Sequence, residues 1–274
     1  MSAHTRNREL AVFVARKSLG QHFLRSLESA RRVAAAGGDL AGMNVIEIGP
    51  GPGGLTKALL ETPLASLTAV EIDPRAAPAL EELAAAHPGR FRLLVADARE
   101  IRLSSLVAPP RHVVANLPYN VATPLIIAWL AEASAFRGLT LMFQAEVAER
   151  ITALPGSGAY GRLSVLAQWT SRVRIVLRLP PSAFLPRPKV SSAVVGFVPH
   201  VVQPTAARFA AMQRLTGAAF GQRRKMLRQA LKPLGGAALL EAAGIAQERR
   251  AETLSIAEFD RLAGLVEGAP LSGA

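Results

Sequence analysis

Four consecutive residues, Asn116-Leu117-Pro118-Tyr119, combine the groups that methylation of an exocyclic amine requires. The nitrogen of such an amine is a poor nucleophile, because its lone pair is delocalised into the base ring. A site can assist by accepting both N–H hydrogen bonds while an aromatic ring stacks on the base. Asn116 offers a side-chain carbonyl, Leu117 or Pro118 a backbone carbonyl, and Tyr119 a stacking face. The alternative interpretation is an Asn-x-Pro turn followed by a core tyrosine.

A glycine-rich segment upstream predicts a nucleotide-like ligand. Residues 45–56 read Val-Ile-Glu-Ile-Gly-Pro-Gly-Pro-Gly-Gly-Leu-Thr, which is typical of a strand, a tight turn and a helix. Three glycines match the dinucleotide-binding motif, a weak indication by itself: Gly49, Gly51 and Gly54. Pro50 and Pro52 lack the N–H donors that a pyrophosphate needs, and Glu47 would repel it. S-adenosylmethionine carries positive charge and no phosphate, so the segment favours it over NAD.

Two further acids follow the next predicted strands. Glu71 ends the second strand and Asp97 follows the third. Because the carboxyl ends of parallel strands meet at one edge, both acids would lie beside the glycine loop. There Glu71 would accept hydrogen bonds from both ribose hydroxyls, and Asp97 from the adenine amine. The alternative is that they are solvated loop residues or helix N-caps.

Alternating β-rich and helical stretches would position these groups. The candidate strands are Asn44–Ile48, Leu67–Ile72, Phe91–Val95, His112–Ala115 and Leu139–Phe143. The helical stretches between and after them are Gly54–Glu61, Arg75–Ala86, Thr123–Ala131 and Ala145–Ala153. This alternation, with its nucleotide loop, predicts an α/β fold with a Rossmann-like methyltransferase domain and a mainly parallel sheet.

The last third of the chain changes pattern. Two late strands, Arg172–Leu177 and Ser192–Val198, predict an antiparallel hairpin at one edge of the sheet. The remainder is helical, at about 205–219, 222–232, 236–243 and 255–266, which predicts a small all-α C-terminal domain. We therefore expect an N-terminal arm over 1–25, a methyltransferase domain over 26–200 and a helical domain over 205–274.

The positive charge of the chain is concentrated in one stretch. The net charge is +12, and residues 150–240 contain 14 Lys/Arg and no acid. Such a stretch predicts a polyanionic partner, with nucleic acid first. The candidate RNA-binding residues are Arg187, Lys189, Arg223, Arg224, Lys225 and Arg228, the last four on a predicted helix. The alternative for those four is a solvated helix face.

Composition excludes several kinds of site. The chain has no cysteine, so disulfides, thiolate metal sites and thiol nucleophiles are excluded. Its five histidines show no metal-ligand spacing, and we expect no metal. No apolar run approaches the roughly 20 residues that span a bilayer. The N-terminus lacks the apolar core of a secretory signal. We expect a cytoplasmic protein without a membrane partner.

Taken in order, the motifs resemble those of the dimethyladenosine transferases, specifically the small-subunit ribosomal RNA adenine N6,N6-dimethyltransferases. The resemblance runs from Lys17 to about Leu265. The matching segments are Lys17–Leu24, Glu47–Thr56, Asn116–Tyr119, Gly161–Val165, Phe184–Ser192 and Phe220–Leu227. Each segment alone is unspecific, whereas the ordered set is highly specific.

The resemblance implies a cofactor, a substrate and further site residues. S-adenosylmethionine would be contacted by His22, Leu24, Gly49, Glu71, Asp97 and Asn116. The family usually has asparagine where this chain has His22. Phe184 would sandwich the target adenine with Tyr119. The substrate would be two adjacent adenosines in a hairpin loop near the 3′ end of 16S rRNA, each methylated twice by a monomeric enzyme acting on the small ribosomal subunit.

Three other functions remain open. A large-subunit (23S) rRNA adenine methyltransferase of the antibiotic-resistance type shares the glycine loop and the Asn-x-Pro-aromatic motif. Phe184–Ser192 and the basic C-terminal helix favour the small-subunit enzyme. A non-catalytic ribosome-assembly or nucleic-acid-binding factor would not need the intact Asn116–Tyr119 motif. An NAD-dependent oxidoreductase would bind a different cofactor in the same loop.

Overall fold

The computed structural model describes residues 21–117 and 122–267. The strands are β1 (Phe23–Leu24), β2 (Asn44–Ile48), β3 (Ser66–Glu71), β4 (Phe91–Val95), β5 (Arg111–Asn116), β6 (Gly138–Gln144), β7 (Ser171–Leu179), β8 (Phe184–Leu185) and β9 (Ser192–Pro199). The helices are α1 (Leu27–Ala35), α2 (Gly54–Leu60), α3 (Ala77–Ala86), α4 (Ala122–Ala131), α5 (Ala145–Thr152), α6 (Arg162–Thr170), α7 (Ala206–Gly221), α8 (Leu227–Ala230), α9 (Gly236–Ala242) and α10 (Ile256–Val266).

Seven strands form one sheet in the order β4-β3-β2-β5-β6-β9-β7. The first five are parallel, and each matches its predicted range to within one residue at either end. Ile48 pairs with Val70 and with Ala115, so Gly49, Glu71 and Asn116 come to the same edge. The register therefore places the predicted site groups together.

The two late strands lie together at one edge of this sheet. β9 pairs antiparallel with β6, from Leu139 opposite Phe197 to Gln144 opposite Ser192. In the sheet, β9 lies between β6 and β7. The edge strand is therefore β7, although it comes before β9 in the chain. The segment that connects the two contains β8, which pairs antiparallel with β1 in a separate two-stranded sheet. The predicted α/β fold class with an antiparallel edge is confirmed.

Local sequence explains how the first helices begin and what they cover. Ser26 caps α1, with its side-chain oxygen accepting a hydrogen bond from Ser29 N at 3.2 Å. Val33 of α1 and Leu59 of α2 are buried in one apolar cluster with Val45 and Leu67 of the central strands. These contacts press both helices onto the sheet next to the glycine loop.

The described chain divides into two compact units. The first contains the residues up to Ala148 together with Arg174–Val198, and the second contains Glu149–Val173 together with the residues from Pro199 onward. The C-terminal helices are thus grouped with α6, which precedes β7 in sequence. The predicted domain boundary near residue 200 lies at the start of the segment from Pro199 onward. The other segment of the second unit, Glu149–Val173, falls inside the predicted methyltransferase domain.

One predicted helix is wrong. The range 222–232 was expected to be continuous, but α7 ends at Gly221 and α8 begins at Leu227. Residues 222–226 form a turn in which Lys225 N donates to Gln222 O at 2.8 Å. The turn is held from outside the segment, because Arg223 Nη2 donates to Gly158 O at 2.5 Å and to Tyr160 O at 3.1 Å.

Among the described helices, none is both long enough and apolar enough to cross a membrane.

Candidate active site

A cleft lies at the carboxyl ends of the parallel strands. Its lining consists of Phe23, Leu24, Gly49, Pro50, Pro52, Gly54, Leu55 and Asn116. Three residues predicted from the sequence, Leu24, Gly49 and Asn116, therefore share one cleft. Concave sites at this edge are where open α/β sheets bind ligands.

The phenyl ring of Phe23 covers the glycine loop. Gly51 has a φ of +53°, in the left-handed region that favours glycine. A Cβ at Gly51 would lie 2.4 Å from Cε1 of Phe23. The close approach of the ring explains why the loop needs glycine at this position.

Glu71 is tied to the same loop. Its Oε2 accepts a hydrogen bond from Gly51 N at 2.9 Å, and its Oε1 accepts from Asp73 N at 2.8 Å. The side chain is buried, and burial raises the pKa of the carboxyl while the two N–H donors oppose that rise. Each carboxylate oxygen keeps a second lone pair, so Glu71 can still accept bonds from a ligand.

Asp97 lies one strand further along the same edge. Val95 of β4 pairs with Glu71, and Ala96 N donates to the Glu71 carbonyl at 2.9 Å. Oδ2 of Asp97 accepts from Arg99 Nη2 at 2.6 Å, and this guanidinium lowers the pKa of the Asp97 carboxyl. The second predicted acid is therefore ionised at neutral pH.

Ile72 is a further candidate site residue, which sequence reasoning missed. Its side chain is 50% exposed although it follows a buried strand, and Val95 is 48% exposed at the same end of the sheet. Two apolar side chains beside Glu71 and Asp97 provide a surface for a planar aromatic ring. The available signal was an isoleucine between two acids, at the end of a predicted strand.

Asp73 joins the N-terminal segment to this edge. Its side chain is 2% exposed and accepts hydrogen bonds from the Arg75 guanidinium and from Gln21 Nε2, the latter at 3.2 Å. Hydrogen bonding to Arg75 is the main cause that lowers the pKa of Asp73 to about 2. Asp73 is thus an ionised anchor, which the sequence did not indicate.

The Asn116 amide is held in one orientation. Its Nδ2 donates to the main-chain carbonyl of His22 at 2.8 Å. This contact leaves Oδ1 as the atom able to accept a bond from a ligand, and no donor among residues 21–117 and 122–267 is bonded to it. The orientation is the one that acceptance from an amine requires.

The remaining predicted catalytic residues differ in their placement. Leu117 is buried and directly follows β5, whereas Pro118 and Tyr119 lie outside the described residues. Phe184 is 2% exposed and packs in the apolar core that also contains Leu24. In this position Phe184 presents no free face to a base, so its stacking role stays a prediction that requires the ring to move.

Glu47 of β2 is a buried acid that precedes the glycine loop in sequence. Neither of its oxygens has a hydrogen-bond partner among the described residues, and the same holds for the Thr56 hydroxyl. Burial raises the pKa of Glu47 to about 8, helped by the Glu71 carboxylate and opposed by the nearby Thr56 hydroxyl. A neutral Glu47 does not repel an anion as an ionised one would, which weakens that part of the argument against a pyrophosphate.

Comparison with known proteins identifies the family. The profile described as "Ribosomal RNA adenine dimethylase" matches residues 12–267. The chain belongs to this family. A relative in Gluconobacter oxydans, named "Ribosomal RNA small subunit methyltransferase A", is 58% identical over 251 residues, which cover 92% of this chain and 83% of the relative. A relative of the same name in Rhodospirillum rubrum is 50% identical, covering 93% of this chain and 89% of its own length.

Two solved structures share the fold of this family member. A dimethyladenosine transferase from Plasmodium falciparum is similar with a TM-score of 0.74 and 24% identity, covering 88% of this chain and 95% of its own. The 23S rRNA methyltransferase ErmE is similar with a TM-score of 0.64 and 25% identity, and the match covers 89% of this chain and 99% of the ErmE chain. The first of these likenesses shows the fold alone.

The basic residues predicted to bind RNA divide into two groups in this family member. Arg223 donates to main-chain carbonyls, and Arg228 pairs with Glu248 at 3.5 Å. All six residues are exposed, and the second group consists of Arg187, Lys189, Arg224 and Lys225. Only in this second group are the side-chain charges not engaged by another residue of the described chain. The role of this group in RNA binding stays a prediction.

Metal ligands are not grouped in the part of the chain that the structure describes, where no three His, Asp or Glu side chains come together.

Proposed function

We propose that this family member transfers methyl groups from S-adenosylmethionine to N6 of two adjacent adenosines near the 3′ end of 16S rRNA, giving N6,N6-dimethyladenosines. The observation that carries the proposal is the Asn116 amide at the cleft, whose nitrogen is bonded to the His22 carbonyl and whose oxygen has no partner among the described residues. Relatives named for the small subunit are 49–58% identical to this chain, against 25% for ErmE. This difference favours the small subunit over the large one.

The residues at this edge of the sheet suit S-adenosylmethionine. Glu71 and Asp97 supply acceptors for the ribose and adenine, while the exposed Ile72 supplies an apolar face for the purine. Pro50 and Pro52 line the cleft without N–H donors, which suits a ligand that lacks phosphate. When bound, the cofactor supplies an electrophilic methyl carbon attached to sulfur.

The chain's own residues would activate the amine by hydrogen bonding. Oδ1 of Asn116 accepts one N–H of the adenine amine, and the backbone carbonyl of Leu117 or Pro118 accepts the other. These bonds favour a tetrahedral nitrogen with its lone pair directed at the methyl carbon. The proton leaves after transfer, when the nitrogen is cationic, so no general base is needed beforehand. The target base must be unstacked, which is least costly in a single-stranded loop.

The partner of this enzyme is the small ribosomal subunit with its rRNA, and we propose that it acts as a monomer in the cytoplasm. Exposed arginine and lysine side chains would contact rRNA phosphates. Light scattering of the purified protein tests the monomer, since a dimer would give twice the mass.

Asn116→Ala tests the catalytic assignment. Loss of one oriented acceptor should lower methyl transfer to unmethylated small subunits by roughly 10²–10³-fold, without changing the far-UV circular dichroism. The measurement is radiolabel transfer followed by primer extension to locate the modified nucleotides. Label in 23S rRNA would support the large-subunit alternative, and absence of transfer by the wild type would support a non-catalytic factor. An unchanged rate in the variant would refute the role of Asn116.

A further inference from the structure

Four consecutive residues, 21–24, each contact a residue described above. Gln21 binds Asp73, the carbonyl of His22 binds Asn116, and the ring of Phe23 covers Gly51. Leu24 pairs with Phe184 in the small β1–β8 sheet. Residues 21–24 therefore line the cleft and also connect several of the segments around it.

His22 is hydrogen-bonded both to Asn116 and to the segment that carries Phe184. Its main-chain carbonyl accepts from Nδ2 of Asn116 at 2.8 Å. Its imidazole Nδ1 lies 2.8 Å from the carbonyl oxygen of Pro186. Because a carbonyl oxygen can only accept, Nδ1 carries the proton and donates. One residue thus links the catalytic amide to the segment that carries Phe184.

The two bonds act on the same residue. The pairing of Phe23 with Leu185 and the imidazole bond to Pro186 both hold residue 22 against this segment, and with it the carbonyl that faces Asn116. Without this carbonyl as acceptor, the Asn116 amide could flip and present its N–H₂ group to the adenine amine. Two hydrogen-bond donors would then face each other, and no hydrogen bond would form. A misdirected amide would lower the rate of methyl transfer while leaving the cofactor contacts in place.

We propose that His22 is a positioning residue for methyl transfer, with its imidazole bound to Pro186 and its carbonyl holding the Asn116 amide as an acceptor. The inference rests on the proposed function, since it assumes that Asn116 binds the target amine. It assigns the His22 side chain to the Pro186 segment rather than to S-adenosylmethionine.

Two substitutions separate this role from cofactor binding. His22→Ala removes the N–H donor, whereas His22→Asn keeps one on a shorter side chain. We expect His22→Ala to lower kcat roughly tenfold, the effect of losing one hydrogen bond, and to shift the product from dimethyladenosine towards monomethyladenosine. The Kd of S-adenosylmethionine, measured by calorimetry, should change less than about twofold, and His22→Asn should recover most of kcat.

Controls and a double variant complete the test. His87→Ala removes a histidine that follows α3 at the amino-terminal edge of the sheet, and it should leave kcat unchanged. Because His22 acts through Asn116, His22→Ala in the Asn116→Ala background should cause no further loss. If the His22→Ala protein does not fold, His22→Met takes its place, because methionine fills the space of the imidazole without supplying an N–H donor.

The outcomes separate this inference from the proposed function. Wild-type activity of Asn116→Ala would end the role of Asn116 and, with it, the positioning role of His22, whereas absence of methyl transfer by the wild type would end the proposed function. A large loss in Asn116→Ala with wild-type kcat in His22→Ala would end only the positioning role. A weakened cofactor Kd with unchanged kcat in His22→Ala would make the imidazole a cofactor ligand and would likewise overturn the inference, as would multiplicative losses in the double variant.

Discussion

At the scale of single residues, the site is specified by contacts between groups far apart in sequence. The glycine motif predicted a tight turn, but it did not reveal that Phe23 packs on Gly51 or that Glu71 accepts a bond from its N–H. Residue types and spacing suggested which groups belong to the site. They could not give the orientation of the Asn116 amide, which depends on a carbonyl 94 positions away.

Gly51→Ala tests how the loop is packed. The alanine must adopt a left-handed φ, which costs roughly 1–2 kcal/mol, and its methyl group must displace the Phe23 ring, which adds roughly 1–3 kcal/mol. Gly89→Ala is the matched control, because Gly89 has a φ of +72° and no atom within 4 Å of its Cβ position. Urea unfolding should show a clearly larger loss at Gly51, together with weaker cofactor binding. Equal losses would mean that the ring moves away freely.

Glu47→Gln tests the buried acid by its pH dependence. The pKa of Glu47 is about 8 in the folded chain, above its ordinary value of 4.5, so the unfolded chain loses its proton first as the pH rises. The wild type should therefore lose stability relative to the variant between about pH 5 and 8, by a few kcal/mol at most. The difference in free energy of unfolding is measured by urea titration across this range. Parallel pH profiles would contradict a raised pKa.

At the scale of elements, hydrophobic patterning predicted the parallel strands well because each is a short apolar run between turn signals. It could not predict that β9 lies between β6 and β7, since strand order depends on pairing between distant segments. Nor could it show that 222–226 form a turn, because no helix-breaking residue occurs there and the contacts come from residues 158–160. Local sequence thus predicted most helices and strands. The order of the strands in the sheet and the break after α7 depend on long-range contacts.

The turn provides a test of RNA binding. Arg224 and Lys225 are exposed, so Arg224→Glu with Lys225→Glu should weaken small-subunit binding and reduce the slope of log K against log salt by about 2. Thermal stability should stay unchanged. Arg137→Glu, an exposed residue at the amino-terminal edge of the sheet, is a control for a single charge reversal away from the turn and should leave the slope unchanged.

Arg223→Glu should behave differently, because it breaks the bonds to Gly158 and Tyr160 and so lowers Tm. An unaltered salt slope in the double variant would remove the turn from the RNA interface.

At the scale of the whole molecule, the charge asymmetry of the sequence is partly compensated by folding. Arg208 pairs with Asp260 at 3.2 Å and with Glu267 at 3.1 Å, both within the second unit. Arg228 in turn faces Glu248. Acids from the end of the chain thus neutralise part of the acid-free stretch, and fewer cations are left for a polyanion than a count along the sequence suggests.

The bond between His22 and Pro186 spans 164 positions, and it also sets an order of events during synthesis. While the first half of the chain leaves the ribosome, the glycine loop and its strands can already assemble. The imidazole of His22, however, cannot reach its acceptor until the ribosome has translated past residue 186. A nascent chain therefore closes this link only in the last third of its translation.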